Sequence, residues 1–307
     1  MSAGPAILCC GEALVDCIPT GETASEGFRP HPGGAVFNTA IGLGRLDAPA
    51  GFFAPLSTDQ FGTLLRDTLE ASNVDTALCP SSPRNTTLAF VQLTDGHATY
   101  TFYDENSAGR MLRKDDLPAL PDSVQALHFG AISLIPEPCG GAYEALCLRE
   151  APSRVISLDP NIRPGFIDDE AGHRARMERM VAAADIVKVS DEDMDWLAPA
   201  GGFVEQAIER GVRIVVVTRG AKGATAHGAF GEVAVAAPKV TVVDTVGAGD
   251  TFNSGFLDSL FRADVLTKQA LREIDGRTVE AALAHAARVA AVTVSRAGAN
   301  APWRHEL

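Results

Sequence analysis

The 307-residue chain has no apolar run of about 18 residues, the length an ordinary transmembrane helix needs, so it is not expected to span a membrane. No Lys or Arg precedes Arg29, and the short apolar stretch 6–10 therefore lacks the positive flank of a signal peptide. Cysteine is sparse, at Cys9, Cys10, Cys17, Cys79, Cys139 and Cys147, and no two form a Cys-x-x-Cys pair. In a chain of this size they read as buried thiols in a reducing compartment, not as disulfides or zinc ligands, and the expected location is cytoplasmic. Positive charge is also short. There are 26 Lys and Arg against 39 Asp and Glu, a formal net charge of −13 with His neutral, and no basic run. Such a surface repels nucleic acid and anionic membranes, so neither is an expected partner. Gly-Lys-Ser/Thr, Gly-x-Ser-x-Gly and His-Glu-x-x-His are all missing, which excludes a P-loop. Gly42-x-Gly44 lacks a third glycine, Asp47 standing in its place, and is a weak dinucleotide fingerprint.

What is present suits a folded protein with a large core: 46% hydrophobic and 21% charged residues, with 29 Gly and 18 Pro. The length fits two ordinary domains or one large α/β unit. Short apolar β-rich runs at 7–10, 126–129, 155–158, 185–189 and 214–217 read as strands buried on both faces. Between them, 61–72, 170–184 and 203–210 carry helical periodicity, as do Val279, Leu283, Ala286, Val289 and Ala290 near the end. This alternation predicts a doubly wound, mostly parallel sheet whose ligands sit beyond the carboxyl ends of the strands.

One region breaks the pattern. Residues 86–103 read TTLAFVQLTDGHATYTFY, two β-rich arms around Asp95-Gly96, a strong hairpin signal. Residues 14–18 are also strand-like, and 27–34 are rich in Gly and Pro. These segments suit either a small projecting sheet or ordinary strands of the main one. No internal repeat or low-complexity segment occurs.

The most informative stretch is 242–256, VVDTVGAGDTFNSGF. A β-branched strand is expected to end at Asp244. Gly247-Ala248-Gly249 follow, then Asp250, then Phe252, Phe256, Leu257 and Leu260 at helical spacing. A helix starting near Gly249 offers unpaired N–H groups and the positive end of its dipole to an anion. Asp250 beside that hole is placed to accept a proton from an attacking hydroxyl. A Gly-rich turn with Asp as helix N-cap fits the same letters. Upstream, Asp16 in GEALVD and Asn38 after Gly33-Gly34 pair a carboxylate with a carboxamide, groups that accept from and donate to vicinal hydroxyls. Taken alone, both also suit turns and caps.

In combination, GEALVD with GGAVFN near the start and DTVGAGDTF late in the chain resemble the two ends of the ribokinase/PfkB family of carbohydrate kinases. LDPNIR (158–163), VKVSDED (187–193) and VTRGAKG (217–223) match the family in the expected order, so the resemblance covers essentially the whole chain. It implies a single ribokinase-like α/β domain over 1–307, with a small β-sheet lid built from about 14–34 and 86–106. It also implies transfer of the γ-phosphoryl group of ATP to a sugar hydroxyl. Asp250 would be the general base, and the amides of Gly247, Ala248 and Gly249 the anion hole. Gly33, Gly34, Asn38 and Asp16 would bind the sugar, with Tyr100 or Phe102 over its ring.

For the nucleotide, the resemblance implies Thr218, Gly220 and Gly223, with Arg219 placed for phosphate. Mg²⁺ would be organised through water by the segment Ser190-Asp191-Glu192-Asp193, where Ser replaces the family's Asn, as is frequent in sugar kinases resembling fructokinases. Asp193 replaces Glu, and Glu192 is the alternative carboxylate. A monovalent cation, generally K⁺, would lie by Asp244 and the Val246 carbonyl, near backbone around Arg296 and Gly298. The lid is expected to exclude water and to be able to mediate a homodimer. LDPNIR, SDED and FYDENSA look most like fructokinases. The alternative is a 2-keto-3-deoxygluconate kinase, whose acid substrate Arg163 would pair with. Ribokinase or nucleoside kinase activity ranks lower. A non-catalytic sugar- or nucleotide-binding regulator is the reading from another class, and it has no use for a base at Asp250.

Overall fold

The computed structural model describes residues 4–21, 26–94 and 97–307, so the expected Asp95-Gly96 turn lies outside the described residues. The strands are β1 (Ile7–Cys10), β2 (Leu14–Pro19), β3 (Phe28–Gly33), β4 (Ala50–Phe53), β5 (Leu56–Ser57), β6 (Ser81–Ser82), β7 (Leu88–Thr94), β8 (His97–Tyr103), β9 (Ala126–Gly130), β10 (Val155–Asp159), β11 (Ile186–Ser190), β12 (Ile214–Thr218), β13 (Ala224–Gly228) and β14 (Gly231–Val235). The helices are α1 (Ala35–Arg45), α2 (Gln60–Ala71), α3 (Cys139–Glu150), α4 (Glu170–Ala183), α5 (Asp191–Leu197), α6 (Phe203–Glu209), α7 (Ala248–Arg262), α8 (Lys268–Arg272) and α9 (Gly276–Val294).

Eight strands form the main sheet in the order β14-β13-β12-β11-β10-β9-β1-β4. From β4 to β12 the pairing is parallel, and the β12–β13–β14 edge is antiparallel. The side-chain period of two divides each central strand between two cores. Ile7, Cys9, Ile214 and Val216 join one cluster with α1, α2, α7 and α9. Leu8, Cys10, Val215 and Val217 join the other with residues of α3, α4 and α6. Burial on both faces explains why these strands read as continuous apolar runs. All six cysteines are free and buried, as expected. No helix among the described residues is long and apolar enough to cross a membrane.

The second sheet, β3-β2-β7-β8, has four strands, built from 14–19, 28–33, 88–94 and 97–103. Its register sets Asp16 beside Ala89, Ala89 opposite Phe102, and Val91 opposite Tyr100. Asp16, Tyr100 and Phe102 therefore share one face.

Two glycine contacts bring distant segments together. Gly42 of α1 lies flush against the Ser254 hydroxyl of α7, where a Cβ would overlap it. Ser254 Oγ also donates to Thr39 O at 2.9 Å, so the pair that resembled a nucleotide fingerprint serves helix packing. Gly44 likewise abuts the backbone of Ser72 and Asn73. The C-terminal segment returns over these helices. Arg45 donates to Ala301 O at 2.8 Å, and Arg304 to the buried Asp258 carboxylate of α7 at 2.7 and 2.8 Å.

The strand expected to end at Asp244 is absent. Residues 236–247 run outside the sheets, with Val242 and Val243 59% and 61% exposed. The Val243 and Asp244 amides both donate to Val294 O, at 2.8 and 3.2 Å. β-Branched residues favour a strand only where a neighbour offers a ladder, and here a helix end takes the bonds.

Gly42→Val should wedge α1 from α7 and cost about 1–3 kcal/mol, the range for overpacking a tight core. Urea unfolding would measure it, and an unchanged midpoint would contradict the close approach.

Candidate active site

The 236–247 segment delivers the chain to the start of α7. Gly247 caps that helix in the left-handed conformation, φ 76°, which an L side chain resists, and a Cβ there would also strike Ala299. The first-turn amides have no carbonyl one turn earlier in the helix and sit at the positive end of its dipole. Ala248 N–H makes a long contact to Thr245 O at 3.3 Å.

Asp250 follows in that first turn and is 8% exposed. Its Oδ2 accepts from Asn38 Nδ2 at 2.9 Å, and its carbonyl accepts from Thr39 Oγ1 at 3.2 Å. The two sequence-marked residues, 212 positions apart, therefore meet directly. Burial pushes the Asp250 carboxyl up to about 7, with Asp159 adding to the rise and Asn38 and Lys188 opposing it. A carboxylate poised near neutrality suits general-base work. His128 lines the same cavity, but burial and Lys188 push its pKa down to about 3, which makes it a poor base.

On the smaller sheet, Gly33 packs against the Asp16 carboxylate so closely that a Cβ would overlap it. Burial raises Asp16 to about 6. Phe102 stacks on Tyr100 at 6.3 Å and meets Phe166 edge-on at 4.8 Å, beyond the ends of the main strands. Burial raises the Tyr100 phenol, Asp16 adds to that, and Arg163 opposes it. Those side chains therefore share one electrostatic neighbourhood. Arg163 is exposed and donates to Ile162 O at 2.9 Å. Gly34 caps α1 at φ 116° without a side chain, and Glu12 supplies the missing acceptor. Its carboxylate takes the Ala35 amide at 2.7 Å, Val36 at 3.4 Å and Ser133 at 3.3 Å.

Ser190 and Asp193 form a capping box at the start of α5. Asp193 Oδ2 accepts from Ser190 N at 2.8 Å and Ser190 Oγ at 2.7 Å, and Oδ1 accepts from Ile162 N at 2.7 Å. That carboxylate is thus buried and committed to backbone, fixing the 159–163 loop against α5, while Glu192 beside it is exposed. Among the described residues no three acidic, His or Cys side chains gather as a metal cage. Thr218 Oγ1 donates to Val189 O at 3.3 Å. Arg219, expected on phosphate, donates to Thr225 Oγ1 at 2.9 Å and lies 3.4 Å from Asp191. Gly220 and Gly223 flank the turn that follows β12. Asp244 bridges the expected cation loop, accepting from Val246 N at 3.0 Å and Gly298 N at 2.8 Å.

Four further residues complete the site. Asp159 and Asn161, inside LDPNIR, line the cavity with Asp250 and Asn253. Ala131 and Asn161 hold φ values of 57° and 43° at the ends of β9 and β10, backbone strain of the kind that clusters at functional sites. Lys188 donates to Asp159 Oδ2 at 2.9 Å, and Asn253 Nδ2 donates to the same oxygen at 2.7 Å. A usable signal existed, since a lysine in the apolar run IVKVS must find a partner if the strand is buried.

A helix start with free amides, a buried carboxylate beside it and a smaller sheet carrying Asp16 and two aromatic rings suit a phosphotransferase class of site. The family model for pfkB family carbohydrate kinases matches residues 5–306, and the chain belongs to that family. It is 55% identical over 273 residues to a fructokinase of Rhizobium leguminosarum bv. trifolii, covering 88% of this chain and 84% of that one. Among solved structures, fructokinase with bound ATP from Xylella fastidiosa superposes with TM-score 0.86 at 27% identity, covering 95% and 93% of the two chains. Fructokinase from Vibrio cholerae O395, bound to fructose, ADP and calcium ion, superposes with TM-score 0.82 at 29% identity, covering 97% and 95%.

The raised Asp250 carboxyl has a stability consequence with a definite sign. Between its ordinary range near 4 and about 7, the folded state holds a proton that the unfolded chain has released. Stability therefore falls as pH rises through that window. Asp250→Asn should raise the melting temperature at pH 8 and leave it near wild type at pH 4. Parallel melting curves at both pH values would contradict the raised carboxyl.

Proposed function

We propose that this carbohydrate kinase is an ATP-dependent fructokinase. The observation that carries the reading is Asp250, buried at the start of α7 and held by Asn38. Its carboxylate takes the proton of a sugar hydroxyl as that oxygen attacks the γ-phosphorus. The bond from phosphorus to the β–γ bridging oxygen breaks, ADP leaves with the electron pair, and the sugar carries the phosphoryl group. Amides of the helix start stabilise charge on the transferring group. Asp16 grips sugar hydroxyls from the smaller sheet, with Tyr100 and Phe102 over the ring. Closure of that sheet as a lid would keep water from accepting the phosphoryl group.

Mg²⁺ would enter with the nucleotide, because this ion keeps most of its water and takes one or two carboxylates beside phosphates. The donor set fits that habit. Asp193 would act on the ion through water, with the exposed Glu192 beside it as the alternative carboxylate. When bound, Mg²⁺ supplies positive charge to the phosphates. The Asp244–Gly298 bridge supports the reading of a K⁺ site in the adjoining loops. A dimer through the smaller sheet would cover Phe28 and Tyr103, which are 38% and 61% exposed.

An ADP-release assay with fructose, 2-keto-3-deoxygluconate, ribose and adenosine tests the assignment. Fructose should give the highest kcat/KM. A preference for the keto-acid would move the assignment to the alternative in which Arg163 meets a carboxylate, and ADP at background with every sugar would favour a non-catalytic regulator. Asp250→Asn should bind fructose within a few-fold of wild type by calorimetry while turnover falls about 10²–10⁴-fold. Loss of binding in parallel would give Asp250 a different role.

A further inference from the structure

The mechanism above leaves unused a buried cation beside the anion hole. Lys188 is 8% exposed, and its Nζ lies 3.1 Å from the point where a Cβ on Gly249 would stand. The ammonium therefore rests against the backbone of the anion hole itself, on the side that only a glycine leaves open. An ammonium has three N–H donors, and Asp159 Oδ2 takes one at 2.9 Å. Asn253, one turn beyond Asp250 on α7, donates to the same oxygen at 2.7 Å. The three side chains come from the end of β10, the middle of β11 and α7, so they clamp the helix start to the main sheet.

A second observation shows that the clamp is more than internal packing. Asp159 is 3% exposed, yet its Oδ1 has no hydrogen-bond partner among the described residues. A buried acceptor left open is costly, and it lines the cavity that Asp250 shares. Lys188 keeps N–H donors beyond the one that Asp159 takes, and they stand beside the start of α7.

We propose that Lys188 is a catalytic residue, a fixed cation that donates through Nζ to the transferring phosphoryl group, with Asp159 and Asn253 as positioning residues that aim it. This rests on the kinase reading of the same site. The ammonium adds a full charge to the partial charge of the helix start. It neutralises oxygen charge as the phosphoryl group moves, in a site where no solvent needs to reorganise.

Lys188→Met alone strands a buried carboxylate and can destabilise the fold, so the deciding variant is the double substitution Asp159→Asn with Lys188→Met, which removes both charges. In the double variant, fructose and ADP affinities by calorimetry should stay within about threefold of wild type and the melting temperature should recover relative to Lys188→Met. On the sugar that the wild type phosphorylates, kcat should still fall about 10²–10³-fold, the loss typical of removing one such donor. Aluminium fluoride added to ADP, Mg²⁺ and sugar mimics the phosphoryl group in flight, and it should tighten ADP binding in wild type but not in the double variant. Turnover within tenfold of wild type, or full tightening by aluminium fluoride in the double variant, overturns the proposal. A wild type that ignores fructose counts against the substrate assignment alone, because the fluoride arm addresses Lys188 with any sugar that binds.

Discussion

Asp250 is a carboxylate kept out of water at a helix start, and the packing of α1 against α7 holds it there. Burial raises its pKa to about 7, and the groups that restrain the rise come from separate parts of the chain. Asn38 stands on α1 and Lys188 on β11, while Asp250 itself belongs to α7. Bringing them within reach requires helices closer than ordinary side chains allow. Gly42 against Ser254 and Gly247 against Ala299 supply that approach, and the returning C-terminal segment is held by Arg304 on Asp258.

Five carboxylates near the strand ends show how one chemical group is put to different uses by its surroundings. Asp250 has Asn38 on one oxygen and a cavity in front. Asp159 is tied to a cation on one oxygen and left open on the other. Glu12 and Asp193 are spent on backbone amides, the first capping α1 from 23 residues away and the second pinning Ile162 beside α5. Asp16 stands on the smaller sheet, raised to about 6 by burial and close to Tyr100. Two of the five hold loops in place. Asp250 and Asp159 line one cavity, Asp16 stands on the smaller sheet, and hydrogen-bond partners separate the roles where composition cannot.

The central strands were legible because burial on both faces leaves unbroken apolar runs, as at Ile7–Cys10 and Ile214–Thr218. α7 was legible for a similar reason, with Phe252, Phe256, Leu257 and Leu260 all buried at helical spacing. Val242 and Val243 misled, since their strand preference had no free ladder to join and they stand exposed beside α9. Gly42 and Gly44 suggested a weak nucleotide fingerprint, but a glycine's use depends on what comes near it. The Arg219 guanidinium and the Asp193 carboxylate were read by their position in motifs; Arg219 meets Thr225 and Asp191, while Asp193 meets Ser190 of its own motif and Ile162.

Sequence by itself determined the layered α/β pattern, the acidic surface and the run of motifs that placed Asp250 next to a glycine-capped helix start. These properties are local or compositional, so they survive being read one residue at a time. Tertiary structure alone decided that Asn38 would hold Asp250, that Glu12 would serve as a distant cap, and that Lys188 and Asp159 would pair against Gly249. The physical reason is that hydrogen bonds and ion pairs act over about 3 Å of space, while the residues that form them here stand 23 to 212 positions apart in the chain.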